Sequence, residues 1–78
     1  MANPLETLTG YIRSEVGYDG NLDVDADLLE EQILDSFSIG EMAGFIQSSF
    51  EIELEAEDLT RENFASLASM VALIERRA

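Results

Sequence analysis

Leu28-Leu29-Glu30-Glu31-Gln32-Ile33-Leu34-Asp35-Ser36-Phe37 runs into Ser38-Ile39-Gly40-Glu41-Met42-Ala43-Gly44-Phe45-Ile46-Gln47-Ser48-Ser49-Phe50, and the pattern changes at Asp35. After it, Ile39, Met42, Ala43, Ile46 and Phe50 recur at about 100° per residue, the mark of one buried helix face. Asp35 suits the cap of that helix and Ser36 its first turn. Before it, residues 17–34 hold Gly17, Gly20, Asn21 and four Asp, with Leu22, Val24, Leu28, Leu29, Ile33 and Leu34 interspersed. That stretch reads as a long connection whose apolar residues pack across helices, with a short turn at 27–31. So long a connection in so short a chain is uncommon and often functional.

The flanks complete the reading. Pro4 to Val16 is predicted as a helix: Asn3 can cap it, Pro4 suits its first position, and Glu6 stands where a capping box needs it. Leu5, Leu8, Ile12 and Val16 give its stripe, and Gly17 is a good stop. Glu51 to Ala56 alternates acidic and apolar residues, but a single strand would have no partner, so an extended loop is expected. Glu57-Asp58-Leu59 is expected to make one short helical turn. Thr60 then caps a last helix from Arg61 to about Arg76, with Phe64, Leu67, Ala68, Val71 and Ile74 inward. Arg76 and Arg77 fall where the helix dipole favours cations. The sum is an all-α chain of three main helices, one short helix and a long first loop.

Composition narrows the chemistry. The chain has 78 residues, 17 acidic against 4 basic, a net charge of −13, and neither His nor Cys. No disulfide, no Cys or His zinc site and no Ser-His-Asp or Cys-His arrangement can be built from it. Such a charge argues against nucleic-acid or anionic-membrane surfaces, which need clustered Lys and Arg. The hydrophobic content, 46%, is too high for an acidic disordered tail. No apolar run is long enough to span a membrane, and the Met1-Ala2-Asn3-Pro4 start lacks the features of a signal peptide. The expectation is a single domain over residues 1–78 of a soluble, cytoplasmic, monomeric protein.

Without His, Lys or Cys, general acid–base work would fall to carboxylates, Tyr11 and Tyr18, and no pair of carboxylates has a reason to be held face to face. Asp19, Asn21, Asp23 and Glu30 match positions 1, 3, 5 and 12 of a calcium loop. The glycine position holds Val24, and a second frame from Asp23 has Leu28 there and Leu34 in place of the bidentate Glu. No metal ligand set is assigned.

Ser36 is the position of interest. The plain reading of Asp35-Ser36 is an ordinary helix start. A helix N-terminus is also an anion site, so a phosphate ester on Ser36 would be well placed. Nothing in this chain activates the hydroxyl, so an outside enzyme would have to do the chemistry. Phe37 lies about 160–180° from the apolar stripe and should face outward beside Glu41, Gly44 and Ser48. A large exposed aromatic there fits a partner contact; the alternative is that it folds under the long loop. Gly40 and Gly44 cost about 1 kcal/mol each relative to Ala inside a helix. Either a partner approaches closely there or the long loop packs on them.

Taken together, Leu28-Leu29, Ile33-Leu34-Asp35-Ser36-Phe37 and the amphipathic helix ending at Phe50 resemble the acyl carrier protein family, whose attachment motif is Asp-Ser-Leu. Length, acidity, the long first loop and Phe50-Glu51-Ile52-Glu53-Leu54 extend the likeness over nearly the whole chain. The resemblance implies a right-handed four-helix bundle with residues 57–59 as helix 3. It implies a 4′-phosphopantetheine arm on Ser36, next to the motif residue Asp35, installed from coenzyme A by a phosphopantetheinyl transferase with Mg²⁺. The arm would carry acyl or aminoacyl groups as thioesters for delivery to partner enzymes. The loop before Ser36 and the helix after it, with Phe37, Gly40, Glu41 and Gly44, would be the docking surface.

The departures concern subtype. Glu41 is the single acid between Ser36 and Phe50, Phe37 replaces Leu, and Gly40 and Gly44 replace larger apolar residues. The run from Leu28 to Phe37 looks closer to stand-alone carriers of polyketide or nonribosomal peptide biosynthesis, or to D-alanyl and aminoacyl carriers, than to fatty-acid carriers. The Met1 start favours a free-standing protein. The competing reading is an arm-less acidic helical protein that binds a basic partner, as an inhibitor or nucleic-acid mimic; a calcium sensor and a small enzyme follow it.

Overall fold

The first helix, α1, spans Pro4–Tyr11 and is capped by Asn3, whose Oδ1 accepts the N–H of Leu5 at 2.9 Å and of Glu6 at 3.4 Å. A computed structural model describes residues 3–78; Met1 and Ala2, and the reading of the N-terminal start, lie outside them. The chain continues from α1 as a π-helical turn, Ile12–Val16. There Gly17 N donates to Ile12 O at 3.0 Å, and Ser14 Oγ donates back to Gly10 O at 2.9 Å. Return bonds of that kind bend helices. The wider turn takes Val16 off the line of Leu8 and Ile12, which are fully buried, and leaves Val16 37% exposed. Gly17 closes the segment at φ 82°, as its place after the stripe predicts.

The second helix, α2, spans Ser36–Phe50, with Asp35 as its cap. Met42, Ala43 and Ile46 are buried, and Ile39 and Phe50 pack at the edge of the core. Residues 52–55 form neither helix nor strand, and Leu54 N donates to Gln47 Oε1 at 2.9 Å. A 3-10 turn, Ala56–Asp58, follows; then α3, Arg61–Phe64, capped by Thr60, and α4, Leu67–Arg77. α4 packs on α1 and α3, and α2 meets α3. The radius of gyration, 11.3 Å, is close to the ~11.5 Å expected of a folded chain this long.

The short helical turn expected at Glu57–Leu59 is present one residue earlier, as the 3-10 turn Ala56–Asp58, and one expectation is corrected. The last helix does not run unbroken from Arg61 to Arg76; it stops after Phe64 and restarts at Leu67. The cause is the long first loop. Leu28 N donates to Ala65 O at 2.6 Å and Ala68 N donates to Val24 O at 2.9 Å, so both groups leave the helical ladder for the loop. Ser66, extended at φ −139°, caps the new helix through Ser69 N at 3.1 Å. The restart changes the phase of the stripe: Leu67, Met70, Leu73 and Ile74 are buried, whereas Ala68 is exposed.

The C-terminal end is tied by charge. Asp58 is buried; its Oδ1 accepts Arg77 Nη2 at 2.8 Å and its Oδ2 accepts Glu55 N at 2.8 Å. The bond from Arg77, then that from the Glu55 N–H, holds the Asp58 carboxyl below its ordinary value of 3.8. A carboxyl lowered on folding adds stability above its unfolded pKa and stops adding it as pH falls through the folded value. Arg77→Gln should therefore melt below the parent at neutral pH. The gap should close as pH drops below 3.8. Melting curves of both proteins against pH test this, and a gap independent of pH would refute it.

Candidate functional site

The approach to Ser36 is built by the turn that precedes it. Asp27 Oδ1 accepts Leu29 N at 3.0 Å and Glu30 N at 2.9 Å, which starts one helical turn. Ile33 N donates to Leu28 O at 2.9 Å and Gln32 N to Leu29 O at 3.2 Å, the bond pattern of a Schellman helix end. Its left-handed position is Gln32, at φ 62°. Leu34 is then pulled into the core and Asp35 turns out to cap α2. Glycine is the usual residue at such a position, and Gln there carries a conformational cost of about 1 kcal/mol. Gln32→Gly should raise stability by roughly 0.5–1 kcal/mol in urea denaturation; no gain would mean that the Gln32 side chain makes a compensating contact.

Asp35 Oδ1 accepts both Ser38 N, at 2.9 Å, and Ser38 Oγ, at 3.0 Å. The Ser38 N–H, with the hydroxyl second, holds the Asp35 carboxyl below its ordinary range, so Asp35 stays ionised as the cap. Ser36, the first residue of α2, is exposed, and among the described residues its hydroxyl makes no hydrogen bond. It opens on a shallow hollow of ≈ 440 Å³ lined by Leu29, Gln32, Leu34, Asp35, Ser36 and Arg61. Among the described residues the arrangement offers an exposed hydroxyl beside one carboxylate, Asp35, whose Oδ1 is already bonded to Ser38.

Along the outer face of α2, Phe37 is 77% exposed, and Gly40, Glu41, Gly44 and Ser48 are exposed beyond it. A Cβ at Gly40 or Gly44 would meet nothing within 4 Å. The long loop therefore does not pack on the two glycines, nor does Phe37 fold beneath it. The loop spends its apolar residues elsewhere: Leu28, Leu29 and Leu34 all sit in the core. The acidic loop is likewise turned to local use, since Asp23 Oδ1 accepts Asp25 N at 3.0 Å. Among the described residues, no group of three or more acidic side chains is placed to hold a metal ion.

Two residues of the hollow, Gln32 and Arg61, are given no part in the site by the sequence. Gln32 looks like one more polar loop residue until the helix end makes it left-handed. Arg61 is read only as a helix start, and its place near Ser36 depends on how α3 packs on α2.

No protein-family model matches the chain. It is 32% identical over 60 residues to the probable acyl carrier protein PigG of Serratia sp. (strain ATCC 39006), a match spanning 77% of this chain and 69% of that protein.

Proposed function

Because this chain belongs to the acyl carrier protein family, we propose that Ser36 is the attachment point of a 4′-phosphopantetheine arm. The observation that carries the reading is the free, exposed Ser36 hydroxyl on the first residue of a helix whose cap, Asp35, is already committed to Ser38. In the attachment step a bond forms between Ser36 Oγ and the phosphorus nearer the pantetheine, and the pyrophosphate bond of coenzyme A breaks. The adenosine bisphosphate leaves, and the serine proton passes to a base that the phosphopantetheinyl transferase supplies. The positive end of α2 favours the phosphate that results. When attached, the arm's thiol holds acyl or aminoacyl groups as thioesters and presents them to loading and synthase enzymes. This chain's own residues position the arm, and partners do the chemistry. The proposed setting is cytoplasmic polyketide or nonribosomal peptide biosynthesis, with the whole of residues 1–78 acting as one carrier domain.

Incubation with coenzyme A, Mg²⁺ and a promiscuous phosphopantetheinyl transferase, followed by intact mass, tests the reading. One phosphopantetheine per chain is the expected result. A folded protein that gains nothing would turn attention to an arm-less acidic interaction protein.

Docking is assigned to the face of Phe37, Gly40, Glu41 and Gly44. The two glycines let a partner's backbone come close, and Phe37 offers an apolar knob beside the attachment point. Phe37→Ala should lower the transferase's kcat/KM for this carrier by about tenfold, or ~1.4 kcal/mol. Its stability should change by no more than ~0.5 kcal/mol, as for other exposed substitutions. A large drop in melting temperature with normal loading would overturn the assignment.

A further inference from the structure

Four arginines are the whole cationic complement of a chain with 17 acids. Three are engaged. Arg13 Nη1 donates to the carbonyls of Tyr18 at 3.4 Å and Gly20 at 3.1 Å. Arg76 Nη2 donates to Asn63 Oδ1 at 3.2 Å, and Arg77 Nη2 meets Asp58 Oδ1 at 2.8 Å and Glu57 Oε1 at 3.9 Å. Arg61 differs: among the described residues its guanidinium has neither a carboxylate within 4.0 Å nor a hydrogen-bond acceptor. Arg61 is exposed, so water alone satisfies it, and a role as counter-ion needs an anion close by.

Its position supplies one. Arg61 stands on the wall of the hollow onto which Ser36 opens, and among the described residues it is the one cation lining that hollow. We infer that Arg61 is the counter-ion of the phosphodiester carried on Ser36, a positioning residue that draws the root of the arm toward α3. The inference rests on the reading of Ser36 as the attachment point. A phosphodiester keeps its negative charge at any working pH. It would sit beside the ionised Asp35 in a chain already at −13. Asp35 Oδ1 is held by Ser38, so that charge cannot turn away. A guanidinium on the same hollow offsets both charges, and its planar fork can meet two phosphate oxygens at once.

The test uses the loaded parent, Arg61→Gln and Arg61→Lys, each confirmed by intact mass. Attachment should move the Arg61 Nε–Hε signal in ¹⁵N NMR and leave those of Arg13, Arg76 and Arg77 in place. The ³¹P signal of loaded Arg61→Gln should shift from the parent's position toward that of the same diester on the urea-unfolded chain. Salt should move the parent's signal in the same direction and leave that of Arg61→Gln unchanged; Arg61→Lys should lie between. A loaded parent with an unmoved Arg61 signal, and a ³¹P position common to parent and Arg61→Gln, would overturn the role of Arg61 alone. A parent that gains no mass would remove the reading of Ser36, and this inference with it.

Discussion

Ser36→Ala should abolish loading outright: no phosphopantetheine in the intact mass, under conditions that load the parent to completion. In the proposed step the Ser36 hydroxyl forms the new bond, and among the described residues no other hydroxyl lines the hollow. Folding should not suffer. Ser36 is exposed, its hydroxyl is unpaired among the described residues, and the cap bonds belong to Asp35 and Ser38. Alanine is also a good helix former, so the stability change should stay within ~0.5 kcal/mol. The hydroxyl of Ser38 is the natural control, because it lies in the same turn but is spent on Asp35. Ser38→Ala should still load. Loading of Ser36→Ala would overturn the assignment to Ser36; loading of Ser36→Ala together with its loss in a well-folded Ser38→Ala would move the attachment point to Ser38.

The second large effect is on the fold. Leu28→Ala should cost about 2–5 kcal/mol, the range for truncating a buried leucine. The whole stability of a 78-residue domain is of the order of 4–12 kcal/mol, so this substitution takes a large share of it. Leu28 is fully buried although it lies in the long loop. Its N–H reaches Ala65 O, at the break between α3 and α4, and its carbonyl accepts Ile33 N and Leu34 N just before Asp35. One residue thus joins the loop, the helix break and the approach to Ser36. Urea denaturation of Leu28→Ala beside Val24→Ala measures the effect. Val24 is 37% exposed, and its truncation should cost much less. Equal small losses would mean that the loop lies on the core rather than in it.

Much of this was legible in the chain itself. The stripe Ile39, Met42, Ala43, Ile46 and Phe50 places α2 because a helix face repeats every few residues, and repetition is visible without a fold. Asn3, Gly17, Asp35 and Thr60 mark helix ends because caps act over three or four residues. Ser36 and the outward Phe37 follow from that same register. Local physics acts between neighbours in sequence, and the sequence displays neighbours. What only the tertiary structure decided involves residues far apart. The last helix breaks at Ala65-Ser66 because Leu28 and Val24, some forty residues earlier, take its backbone bonds. That Gly40 and Gly44 face open space depends on where the loop's leucines are buried. Arg61 joins Ser36 only because α3 packs against α2, a contact that no periodicity records.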